Sequence, residues 1–158
     1  MWWAIAAVTV VVLLATFVLV RGSRGDDAHV DCAPLQRGVL PTWARTGFSD
    51  PRPRMPHVIG RHGRIAAIVF GDPLLSPPIE GRSNKILWVA RELTTSASDL
   101  RIRAQRVRGG RLVGEAVRRL VPRGPGPSII DLPSPGCWRL ALRWSDQRDE
   151  LSLRYGRQ

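Results

Sequence analysis

The chain has 158 residues, enough for one domain plus an appendage and too few for a multidomain assembly. Hydrophobic residues make up 44%, sufficient for a packed core, and two cysteines allow one disulfide but no paired C-x-x-C zinc arrangement. The formal net charge is +11 and Lys85 is the sole lysine, so the positive charge is arginine, a pattern that a polyanion partner and the codon bias of a GC-rich genome both produce.

The first element is "WWAIAAVTVVVLLATFVLV", Trp2 to Val20, which carries no charge. As a helix it would be about 28 Å long, close to the ~30 Å hydrocarbon core of a bilayer. Trp2 and Trp3 suit one interface, and Arg21 and Arg24 mark the other. Residues 1–21 are therefore expected to form a transmembrane anchor. A cleaved signal peptide would need a basic start and a small-x-small site, and Val20-Arg21-Gly22 is a poor one. Two signals conflict over orientation. Arg21 and Arg24 place the following domain in the cytoplasm by the positive-inside rule. A cysteine pair in a domain of this size instead suits an oxidising compartment. Residues 22–31 are small, polar and charged, a linker.

From Cys32 to Gly63 the chain carries Pro34, Pro41, Pro51, Pro53 and Pro56. Proline removes backbone donors and stops helices. The segment 32–63 is thus expected to be extended chain wrapped on the domain and pinned by Leu35, Leu40, Trp43 and Phe48. Residues 64–158 read as short strands. "RIAAIVF" is a buried run of strand length. "KILWVARE" sets Ile86, Trp88 and Ala90 on one face. "LRIRAQRV" sets Leu100, Ile102 and Ala104 inward and Arg101 and Arg103 outward. Gly109-Gly110 is a hairpin turn. "RLVGEAVRRLV" fits a strand or a helix, and its flanking glycines and Pro122 favour the strand. "SIIDLP" is a short strand. "GCWRLALRW" places Trp138, Leu140, Leu142 and Trp144 on one face, and Cys137, Arg139, Ala141 and Arg143 on the other. "SDQRD" reads as a turn holding Asp146 and Asp149, with Glu150 beside them. "ELSLRY" returns with Leu151, Leu153 and Tyr155 inward. About seven strands with regular punctuation argue for an antiparallel β-sandwich.

Cys32 and Cys137 are the only cysteines, so the one possible intramolecular disulfide joins the wrapping segment to the last hairpin. Two unlinked buried thiols are the alternative. The stretches "PTWARTGFSDPRPRMPHVIGRHGRIAAIVFGDPLLSPP", "NKILWVARE" and "GPGPSIIDLPSPGCWRLALRW" resemble an uncharacterised family of small bacterial envelope proteins. The resemblance covers most of the chain from Cys32 onward. It implies an N-terminal anchor or lipoprotein signal followed by an immunoglobulin-like domain outside the cytoplasm, and it implies no reaction. Here "HVDC" lacks the residues of a lipidation box. The expected fold is therefore mainly β: an N-terminal transmembrane helix, then an antiparallel immunoglobulin-like β-sandwich.

The chemistry on offer is sparse. His29, His57 and His62 are the only histidines. His57 and His62, with Asp50 or Asp72, could form a metal site or a small enzyme's centre, yet their spacing matches no closed zinc pattern. Ser49, Ser76, Ser83 and Ser96 lie outside any G-x-S-x-G elbow. No cofactor or metal is expected, and a non-catalytic module is favoured over an enzyme. Polyanion binding has firmer grounds. Arg101, Arg103, Arg106, Arg108 and Arg111 line one hairpin, with Arg118, Arg119 and Arg123 close behind. The partners expected are the membrane, an anionic lipid, a wall polymer or another envelope protein. Nucleic acid is disfavoured, because the tryptophans read as core rather than as stacking platforms. A cytoplasmic domain binding nucleic acid through its arginines is the remaining alternative.

Overall fold

The structure, a computed structural model, describes residues 32–92 and 98–158. The expected anchor 1–21, the linker 22–31 and His29 lie outside the described residues, as does Ser96. Among the described residues no helix is long and apolar enough to cross a membrane.

Two four-stranded antiparallel sheets pack as a sandwich. The first contains β1 (His57–Ile59), β2 (Ile65–Val69), β3 (Lys85–Ala90) and β6 (Pro127–Ile129), in the order β1-β2-β3-β6. The second contains β4 (Leu100–Arg108), β5 (Arg111–Val121), β7 (Gly136–Trp144) and β8 (Gln147–Tyr155), in the order β5-β4-β7-β8. The β4–β5 turn is Gly109-Gly110, with φ of 56° and 74°. Positive φ at both central residues is the primed hairpin geometry whose twist matches the flanking strands, and glycine adopts it without penalty. The ambiguous run 111–121 is a strand because this turn folds it back onto β4, where it pairs from Arg108↔Arg111 to Leu100↔Val121.

The strand phases expected from alternation hold. Ile86 and Trp88, Leu100, Ile102 and Ala104, the even residues of β7 from Trp138 to Trp144, and Leu151, Leu153 and Tyr155 share one buried core between the sheets. β2 is buried on both faces, so it reads as a continuous apolar run rather than an alternating one. Its core face carries Ile65, Ala67 and Val69. Among the described residues, Trp144 Nε1 and Arg106 Nε are buried without a hydrogen-bond partner, whereas the other two core indoles and the Tyr155 hydroxyl are partnered. Trp88 Nε1 donates to Ser128 Oγ at 2.9 Å and Trp138 Nε1 to the Ser134 carbonyl at 2.9 Å. Tyr155 donates its hydroxyl to the Ile130 carbonyl at 2.6 Å. Burial, reinforced by Asp131 and opposed by Arg119, pushes that phenol well above its usual range. Asn84 clamps the β2–β3 connection, accepting from Leu75 N at 2.8 Å and donating to the Leu75 carbonyl and to Asp131.

Two expectations are corrected. The segment 32–63 is not merely a wrapping. It contains a 3₁₀ turn at Thr42–Ala44 and supplies β1, which pairs with β2 from His57↔Ile68 to Ile59↔Ala66. A three-residue strand after a proline is too short to display alternation. Leu40 and Ala44 are fully buried, whereas Trp43 and Phe48 are only half-buried, Phe48 stacking on Phe70. The second correction concerns "SDQRD". The turn is only Ser145-Asp146, and β8 already begins at Gln147. Asp149 and Glu150 therefore belong to a strand, where Asp149 faces Leu142 across the ladder.

Asp149 is a buried carboxylate with a structural task. Its Oδ1 accepts from the backbone N–H of His62 at 2.9 Å and of Glu150 at 2.8 Å, and its Oδ2 accepts from Arg64 N at 2.9 Å. It thus ties the β1–β2 turn to the last strand. Gly60 must be glycine here, since a Cβ would fall 2.3 Å from Asp149 Oδ2. Burial pushes the Asp149 pKa up, but the three backbone donors and the His62 ring outweigh it and hold the group below 3.8. A folded-state pKa below the unfolded value contributes stability that is present above the unfolded value and lost as pH falls through the folded one. Asp149→Ala is expected to cost about 3 kcal/mol at pH 7, because it orphans three part-buried backbone donors. Urea melts of both proteins between pH 7 and pH 2 check this, and the gap should narrow only below about pH 4.

Candidate functional site: an arginine-lined sheet face

The outer face of the second sheet is built from the residues that alternate with the core. Cross-strand register arranges them in rows. One row runs Leu120–Arg101–Arg143–Arg148 and the next runs Arg118–Arg103–Ala141–Glu150. A third holds Gln105, Arg139 and Ser152, and a fourth holds Leu112, Val107, Cys137 and Arg154. Neighbouring strands are about 4.8 Å apart, so the guanidinium stems stand side by side. Arg101, Arg103, Arg118, Arg143, Arg148 and Arg154 are exposed. An open depression of about 530 Å³ lies among Arg101, Arg103, Arg118, Leu120, Ala141 and Arg143.

The charge is poorly compensated. Among the described residues, the only ion pair on this face is Arg139 Nε to Glu150 Oε1, at 3.7 Å. Arginine stands directly opposite arginine at Arg101↔Arg143, Arg103↔Arg118 and Arg143↔Arg148. Like charges facing one another across a ladder are destabilising. The arrangement thus sets like charges side by side on one exposed surface.

Of the five arginines singled out from the sequence, Arg101 and Arg103 lie on this face. Arg106, Arg108 and Arg111 do not, and this corrects their grouping. The strand alternates, so even positions of β4 point the other way; Arg108 pairs with Arg111, and the half-buried Arg106 faces Trp138 across the ladder. The Arg106 guanidinium lies over Gly136, where an added Cβ would meet Nη2 at 3.1 Å. Arg118, Arg139, Arg143, Arg148 and Arg154 complete the face instead. Alternation in β7 already separated Arg139 and Arg143 from the tryptophans. No local signal indicated that β7 would lie beside β4.

The disulfide forms. Cys32 and Cys137 are joined with a Cα–Cα distance of 5.5 Å, and with Val107 they make a small buried cluster of their own. Because Cys137 is on the outer side of β7, Cys32 is fastened to the same face as the arginines, one end of it.

His57 and His62 do not converge on a common acid: only His62 meets one, Asp149. His57 is buried and its Nδ1 donates to the Met55 carbonyl at 2.8 Å. His62 Nδ1 lies 3.1 Å from Asp149 Oδ1. Of the acids expected beside them, Asp50 accepts from Arg52 N at 2.8 Å and Asp72 pairs with Arg37. Among the described residues no three His, Cys, Asp or Glu side chains are grouped to hold a metal. Ser76 is buried and donates to the Leu132 carbonyl at 2.7 Å, and Ser49 and Ser83 are exposed loop residues.

Comparison with known proteins finds no family model, no curated protein and no solved structure that matches this chain.

Proposed function

We propose that this chain is a single-pass, envelope-anchored β-sandwich whose domain faces away from the cytoplasm and acts as a non-catalytic module for an anionic partner. The observation that carries the reading is the arginine face, with its opposed like charges and, among the described residues, a single weak ion pair. The apolar run at Trp2 to Val20 supports the anchor, and the Cys32–Cys137 disulfide supports an oxidising compartment. The resemblance to small bacterial envelope proteins agrees with both.

The immunoglobulin-like reading has support in the second sheet. Its order β5-β4-β7-β8 sets two hairpins side by side, as the C′, C, F and G strands do in immunoglobulin variable domains. The first sheet departs from that pattern, because β3, the third strand, stays beside β2 instead of crossing to the other sheet. The kinship is thus one of architecture with altered connectivity.

Full-length protein in neutral detergent, titrated with dextran sulfate and with uncharged dextran, tests the reading. Binding to dextran sulfate alone is expected, weakening with salt because counterions are released as the arginines bind. The triple variant Arg101→Gln, Arg103→Gln, Arg143→Gln should lose roughly a hundredfold in affinity, at ~1 kcal/mol per basic side chain. Equal affinity of wild type and variant would sink the proposal.

A further inference from the structure

Resting on that reading, we infer that the arginine face lies down on the anionic headgroups of the bilayer that holds the chain's own N-terminal apolar run. Three observations converge. The first is where the tether arrives. The disulfide fastens Cys32 to Cys137 on the arginine face, and Ala33, the next residue, lies near Arg139, Glu150 and Ser152 of the same face. Only ten residues separate Arg21 from Cys32. Fully extended they reach about 35 Å, so the bilayer surface stays within reach of this side of the domain at all times. A short leash presents the lipid surface at high effective concentration, so weak contacts suffice.

The second observation is the chemistry of the face. Exposed arginines complement phosphate headgroups, and Leu112 and Leu120 stand among them, 45% and 53% exposed, on the outer side of the edge strand β5. Cationic side chains bordered by exposed leucines suit the interface between headgroups and acyl chains. A nucleic acid would instead call for exposed aromatics, and Trp88, Trp138 and Trp144 are buried in the core. The third is contrast. On the outer side of the first sheet Ala66 and Ile68 are buried, Phe48 from the chain's own segment 32–56 stacks on Phe70, and Lys85 is set over the Phe70 ring in place of a ladder of arginines.

The test uses the full chain reconstituted in two kinds of vesicle, phosphatidylcholine alone and phosphatidylcholine with one-third phosphatidylglycerol. A fluorescent amino acid replaces either Ser152, on the arginine face, or Lys85, on the opposite sheet. A lipid with a nitroxide headgroup reports proximity. Quenching of the probe at position 152, and not at 85, is expected in the anionic vesicles only. The triple variant R101Q/R103Q/R143Q should abolish it, by roughly fivefold weakening for each arginine removed. Its intact fold is verified by unchanged tryptophan emission. Equal quenching at both positions, or quenching indifferent to lipid charge, would overturn the inference. If dextran sulfate still binds in that case, only the choice of partner has failed. If the chain does not float with phosphatidylcholine vesicles at all, the anchor itself has failed.

Discussion

Replacing Trp88 with alanine is expected to destabilise the domain by about 3–5 kcal/mol, the usual cost of emptying an aromatic core site. The indole is 1% exposed and sits opposite Ala67 in the β2–β3 ladder, a small residue that leaves it room. Around it, both sheets contribute to a single core, so the void would open among packed side chains of both. The substitution also strips Ser128 Oγ of its donor. Trp138→Ala should fall in the same range, since it removes a 2% exposed ring from the facing sheet along with its bond to Ser134. Denaturant melts monitored by circular dichroism check both. A loss near zero would mean that the tryptophan faces are wrongly assigned and available to ligands.

Breaking the disulfide has the second large effect. Cys32→Ser with Cys137→Ser should cost about 2–5 kcal/mol, as expected for a native cross-link that closes a loop of this length. The bridged residues are 105 apart, so the cross-link restricts nearly the whole domain in the unfolded chain. Two serines would also place hydroxyls in the apolar cluster with Val107. Midpoints of unfolding for the two proteins give the difference. In native membranes, alkylation without reductant should label neither cysteine, and mass spectrometry should recover the linked peptide pair. Alkylation of both thiols would remove the main support for an oxidising compartment.

The two substitutions probe parts of the fold that were unequally legible. The core tryptophans were assigned by alternation alone, because a strand buried on one face must place every second side chain in the apolar layer. The disulfide was the only pairing that two cysteines permit, but nothing local brought Cys32 to Cys137. Its proximity depends on the chain between them folding into both sheets. The short strand β1 was missed because three residues after a proline carry no period. Asp149 was read as a turn residue because "SDQRD" has turn composition, while in the structure its charge is balanced by backbone donors from a turn 85 or more residues away in the chain.

The sequence by itself determined the strand phases, the mainly β architecture, the apolar N-terminal run and the excess of arginine, since each follows from local period or composition. Tertiary structure alone decided which arginines share one surface. Alternation assigned Arg101, Arg103, Arg139 and Arg143 to outward faces strand by strand. The pairing of β4 with β7 then made those faces one surface, and the same alternation excluded Arg106, Arg108 and Arg111 from it. Strand order is a non-local outcome of packing two sheets around one core, and no window of sequence contains it.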